Sequence, residues 1–63
     1  MIDKLPARID WYNLIIRKEN ENLYMVMYKN ERTHDILHIV WSNKLDEAIE
    51  LCFTWLKEKW LVK

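Results

Sequence analysis

Apolar residues follow two rhythms along the chain, and the change of rhythm falls near Ser42. Over residues 43–60, Leu45, Ala48, Ile49, Cys52, Phe53, Leu56 and Trp60 recur at steps of three and four. Asp46, Glu47, Glu50, Thr54, Lys57 and Glu58 occupy the opposite side. That is the period of an α-helix with one apolar stripe. Upstream the step is shorter. Residues 9–18, 23–29 and 35–41 are rich in β-branched and aromatic side chains, and the polar clusters 19–22 and 30–34 separate them as turns, which predicts three strands. Short connections make neighbouring strands antiparallel. The predicted fold is α+β: a three-stranded antiparallel β-meander followed by one C-terminal α-helix packed on one sheet face, β-β-β-α. Residues 1–63 form a single domain, with a lead-in at 1–8, the meander at 9–41 and the helix at 43–60.

Local chemistry supports these limits. Ser42 and Asn43 are candidate caps, and with Asn43 as N-cap Asp46 takes the third helical position. Asp46 and Glu47 suit the positive end of the helix dipole, and Lys57, Lys59 and Lys63 suit the other end. Pro6 restricts Leu5 to an extended conformation, so the lead-in is open to use as an edge strand or as a reach toward a partner. The chain contains no glycine. Its turns must rely on asparagine and aspartate, asparagine being the residue that most readily takes positive φ in its place.

The period of two assigns faces. Tyr12, Leu14 and Ile16 are the helix-facing set of the first strand, and Trp11, Asn13, Ile15 and Arg17 the outer set. The second strand is apolar on both sides, with Leu23, Met25 and Met27 against Tyr24, Val26 and Tyr28, and so should be central. In the third, Leu37, Ile39 and Trp41 point one way and Ile36, His38 and Val40 the other, the latter placed outside. One helix cannot cover this much apolar surface. The expected contact surface is Trp11, Ile15, Tyr24, Val26, Tyr28, His38 and Val40 on the sheet, with Leu51, Trp55 and Val62 along the helix margin.

Charge and composition narrow the function classes. Ten basic and ten acidic residues cancel, whereas a phosphate-backbone binder carries a positive excess. Without glycine there is no Gly-rich phosphate loop or dinucleotide fingerprint. Cys52 is the only cysteine, so no intrachain disulfide forms, and it falls on the inward stripe as a small buried hydrophobe rather than a nucleophile. His34 and His38 are the only bases within its reach, and His38 beside Asp10 or Glu21 is too common a combination to mark catalysis. The expectation is a non-enzyme with no cofactor and no metal. Residues 1–8 carry Asp3, Lys4 and Arg8 and no apolar run, which predicts neither a signal peptide nor a membrane span, and a cytoplasmic protein. A 63-residue core is marginal alone, so a second copy is the expected support. The sequence thus points to a protein-interaction domain, a C2 homodimer acting as a small inhibitor or regulatory adaptor. DNA binding through the outer sheet face is the competing expectation, with Asn13, Arg17, Lys29 and Arg32 as contacts.

The order of three strands and a helix, with Trp11, Asn13, Arg17, Tyr28, Lys29 and Arg32 available to the outer face, resembles the small arm-binding domains at the front of phage-type tyrosine recombinases. The likeness spans Trp11 to Trp60 and includes the helix opening Ser42-Asn43-Lys44-Leu45-Asp46-Glu47-Ala48. It implies a sheet presented to the major groove. The same order is similar to antitoxin-type domains and to small phage-encoded inhibitors that cover a partner's functional surface. The missing basic excess departs from the first group, and no motif assigns the chain to any of them.

Overall fold

Alternating side chains and short polar turns fold the chain into one sheet under one helix. The computed structural model describes residues 5–59, with strands β1 (Arg8–Ile9), β2 (Tyr12–Asn20), β3 (Leu23–Asn30) and β4 (Ile36–Ser42) and helix α1 (Leu45–Glu58). Every neighbouring pair of strands is antiparallel, and the sheet order β1-β2-β3-β4 repeats the chain order. The α+β meander with a C-terminal helix is therefore the fold, with four strands instead of three.

The additional strand arises at the start of the meander. Asp10 and Trp11 form a two-residue turn, so that Ile9 pairs with Tyr12 and Arg8 with Asn13. Asp10 makes the reversal at φ 54°, a left-handed conformation that short polar side chains tolerate better than most. The lead-in thus supplies an edge strand. It is fastened by the Leu14 N–H donating to the Ala7 carbonyl at 2.9 Å, by the Tyr28 hydroxyl donating to the Pro6 carbonyl at 2.6 Å, and by burial of Leu5 and Ile9. The asparagines do serve the turns, but through their side chains. Asn20 Oδ1 accepts the Asn22 N–H at 2.9 Å, and Asn30 Oδ1 accepts the N–H groups of Arg32 and Thr33 at 2.8 and 2.9 Å. Positive φ falls instead on Asp10 and on His34 (66°) among the described residues.

Strand register sets the two faces. Leu14, Tyr28 and His38 form one row across β2, β3 and β4, and Ile16, Val26 and Val40 form the next. Both rows lie under α1, whose Ala48, Ile49, Cys52 and Leu56 are buried against them, with Leu5 and Ile9 completing the core. Val26, Tyr28, Cys52 and Leu56 are the largest fully buried side chains, and each apolar one contributes about 1.5–3 kcal/mol by leaving water.

The other face carries the rows Ile15–Met27–Ile39 and Arg17–Met25–Trp41, followed by Asn13, Lys29 and Ile36. The helix-facing set of the first strand is as the alternation predicts, and β3 is central. The third strand differs from expectation. Ile36 opposes Lys29 while His38 opposes Tyr28, which makes Leu37 an extra residue and reverses the alternation there. Ile36 keeps the outer side. His38 and Val40, expected beside it, lie beneath the helix.

The helix begins later than its caps suggested. Lys44 is the N-cap residue, at φ −128° and ψ 131°, and no side chain caps the helix. Ser42 Oγ accepts the Lys44 N–H at 3.2 Å, just ahead of the first turn, and Asn43 stands one residue outside. Asp46 and Glu47 remain in the first turn and Lys57 in the last. Trp60 and Val62, expected on the stripe and on its margin, lie outside the described residues.

Candidate functional site

Three surfaces follow from this architecture. The first is the open sheet face. No described element lies over it, yet Met25 and Met27 are only 3% and 6% exposed, because each sits mid-sheet between long side chains of β2 and β4. Trp41 and Ile36 stand about half exposed, with Ile15 and Ile39 between them partly shielded. The result is an apolar band with Arg17 at one end and Lys29 and Asn13 at the other. Arg17 lies 3.6 Å from Glu19.

The second surface is the free edge of β4 with the helix margin above it. His38 stacks on Trp55 with ring centroids 4.0 Å apart and planes within 6°. A shallow groove of about 340 Å³ runs here, lined by His38, Val40, Leu51 and Trp55 among others. Leu51 is half exposed. Burial lowers the His38 pKa from its usual value, so the stacked ring is kept neutral. The two sheet edges differ in chemistry. β2 is covered by β1 only at its start, and its remaining edge carries the exposed Arg17, Lys18 and Glu19. β4 has no charged residue between Ile36 and Ser42, and pairs with nothing on its outer side among the described residues.

The third surface is a corner where the β1–β2 and β3–β4 turns meet. The guanidinium groups of Arg8 and Arg32 approach the Trp11 ring at 5.1 and 5.7 Å. Glu31 bridges Arg8 at 2.7 Å and Asn13 at 3.2 Å, and its N–H donates to the Trp11 carbonyl at 3.0 Å. These partners make the corner a self-satisfied clamp between turns.

No family model, curated protein or solved structure matches this chain. Its chemistry is therefore read from placement alone.

Of the expected contact residues, Ile15 is on the open face, Leu51 and Trp55 are at the helix margin, and Trp11 is in the corner, in a turn rather than a strand. Tyr24, Val26, Tyr28, His38 and Val40 belong to the helix side. Val26 and Tyr28 are fully enclosed, which removes them from any surface, while Val40 is nearly enclosed and reaches only the lining of the β4 groove. Asn13, Arg17 and Lys29 do share the open face, whereas Arg32 sits apart over Trp11. The residues missed were Met25, Met27, Ile39 and Trp41, which replace the displaced set on the open face. No residue type near Leu37 signals the phase change, since bulges are most readable where a glycine marks them.

Cys52 is fully buried, and burial pushes its thiol up to about 11, so the thiolate that nucleophilic chemistry needs is disfavoured. Burial raises the Tyr28 phenol as well. Among the described residues, no three His, Cys, Asp or Glu side chains are grouped to hold a metal ion, and no helix is long and apolar enough to cross a membrane.

Proposed function

We propose that this chain is a non-enzymatic protein-interaction domain that self-associates as a C2 dimer and acts as a small inhibitor or regulatory adaptor. The observation that carries this reading is the apolar band of Ile15, Ile36, Ile39 and Trp41 around the nearly buried Met25 and Met27, with the described helix committed to the other side of the sheet. A domain of this size gains most from a second copy, and isologous pairing is the commonest closed arrangement. Sedimentation equilibrium from low micromolar to about millimolar protein tests the dimer; a monomer throughout refutes it.

DNA binding through the same face has one observation in its favour, the shared placement of Asn13, Arg17 and Lys29. Two cations neutralise about two phosphates, for a salt slope near −1.8, weak beside the six to ten contacts of an established binder. Protein contact fits the apolar centre better. Fluorescence anisotropy with a labelled duplex at about 50 mM salt separates the two: binding that weakens in Arg17→Ala and Lys29→Ala favours DNA.

A further inference from the structure

Resting on the dimer reading above, we infer where the two copies meet: β4 pairs antiparallel with β4 of a second copy, joining two sheets into one of eight strands. Three observations converge on this edge. First, protein edges are normally protected by charge, proline or a covering element. Here the β2 edge carries Arg17, Lys18 and Glu19, while Ile36–Ser42 has neither charge nor proline. One edge is defended and the other is not.

Second, the strand is compatible with its own reversal. A two-fold axis at Val40 pairs the regular stretch that follows the Leu37 bulge, with His38 against Ser42, Ile39 against Trp41 and Val40 against itself, so that each pair shares one face of the sheet. No like charges meet in that register, and the strand contains no proline, so each outward-pointing backbone N–H is available to the ladder.

Third, the helices arrive at the right spacing. α1 packs on β3 and β4 to a similar extent, so its axis lies roughly midway between them. With strands about 4.8 Å apart, pairing β4 to β4 sets the two helix axes on the order of 10 Å from each other, at the upper end of the 8–10 Å of packed helices. The margin that turns toward the axis is the one bearing Leu51 and Trp55. Those side chains fill the groove over His38 and Val40 from both sides, which accounts for apolar residues at a helix position that is otherwise polar. The open faces stay free, side by side, for a different partner.

The edge is small. The five paired residues span about 17 Å, and with the molecule's 16 Å thickness they offer about 270 Å² per copy in projection. A contact of that size belongs with weak, concentration-dependent associations.

Hydrogen exchange followed by NMR, at a concentration where sedimentation reports dimer, is the deciding experiment. The outward N–H groups of β4 should be protected, and should lose protection on dilution. Rapid exchange at those amides in a sample that is dimeric overturns edge pairing while leaving the dimer reading intact. A wild-type monomer at all concentrations removes both. Two exposed-site variants supply the second measurement. Leu51→Lys, repeated across the axis, should weaken dimerisation roughly tenfold or more. Ile15→Lys, two strands from the edge, should change it by less than about threefold. The reverse ranking identifies a face-to-face dimer and overturns the inference.

Discussion

Replacing Tyr28 by Phe isolates one fastening of the lead-in segment. The ring is fully buried beneath α1, and its hydroxyl donates to the Pro6 carbonyl at 2.6 Å. Phe fills the same ring volume, so no cavity is created and the change is confined to one hydrogen bond. A typical intramolecular hydrogen bond contributes about 0.5–1.5 kcal/mol net, and a buried carbonyl left without a donor costs about 1–3 kcal/mol. Pro6 is only partly buried, so water reaches its carbonyl in the variant and the lower figures apply. The expected loss is about 1 kcal/mol, or a fall in Tm of roughly 4–8 °C for a domain this small. Urea unfolding followed by circular dichroism, at fixed protein concentration, should show a lower midpoint with an unchanged slope. The loss should be local as well. The Leu14 amide, bonded to the Ala7 carbonyl, should exchange about fivefold faster as residues 5–9 open more often. Unchanged stability together with unchanged Leu14 exchange would refute the assignment of Tyr28 as a fastener of β1.

Three further outcomes follow from the geometry. Lys44→Ser places a hydroxyl at the uncapped N-cap with Glu47 three residues on, completing a capping box; urea unfolding should show a gain of about 0.5–1 kcal/mol, and no gain would mean that the Ser42 turn already satisfies the first amides. Stability should fall on both sides of a neutral plateau. His38 has a lowered folded pKa, so the unfolded state binds more protons and stability drops as pH falls below about 6.5; Cys52 and Tyr28 have raised folded values, so the native state holds more protons and stability drops as pH rises above about 9. Thermal melts of His38→Phe, which keeps a stacking ring, should flatten the acid limb relative to wild type. Arg8→Ala removes an exposed ion pair with Glu31 and the contact with Trp11, and should cost no more than about 1 kcal/mol in chemical denaturation; a larger loss would show that the corner holds the two turns together.

What could be read from the residues, and what could not, divides along one physical line. Periodicity is legible where an element is long and regular. The stripe of Ala48, Ile49, Cys52 and Leu56 and the inward set Tyr12, Leu14 and Ile16 emerge from spacing alone. It fails where one residue alters the count. Leu37 shifts β4 out of phase, so Ile36 and Leu37 are read correctly and His38 to Trp41 on the wrong face, which put His38 and Val40 on the supposed contact surface; Val26 and Tyr28 joined them because the second strand is apolar on both sides and its spacing does not say which side meets the helix. The turn at Asp10 and Trp11 was hidden for a related reason: with Ile9, Trp11 and Tyr12 all strand formers, composition offered no break, and the reversal rests on a backbone conformation. Residue preference also misplaced the helix cap. Asn43 is the better capping type, but the Ser42 hydroxyl binds the Lys44 amide and the helix starts one residue later. The apolar surplus survived these errors, because total burial demand does not depend on which face each residue takes.

The agreement between sheet order and chain order has a kinetic consequence. Each strand pairs with its sequence neighbour, and the widest gap between paired strands is five residues, between Asn30 and Ile36. Loop-closure entropy grows with the logarithm of loop length, so no step of assembly requires distant segments to find each other. Hairpins of this kind form in about 1–10 μs, and docking the helix onto β3 and β4 uses only the Asn43–Lys44 connection. Refolding should therefore be fast, without a slow search phase, and the uncharged β4 strand spends little time exposed in a partly folded chain.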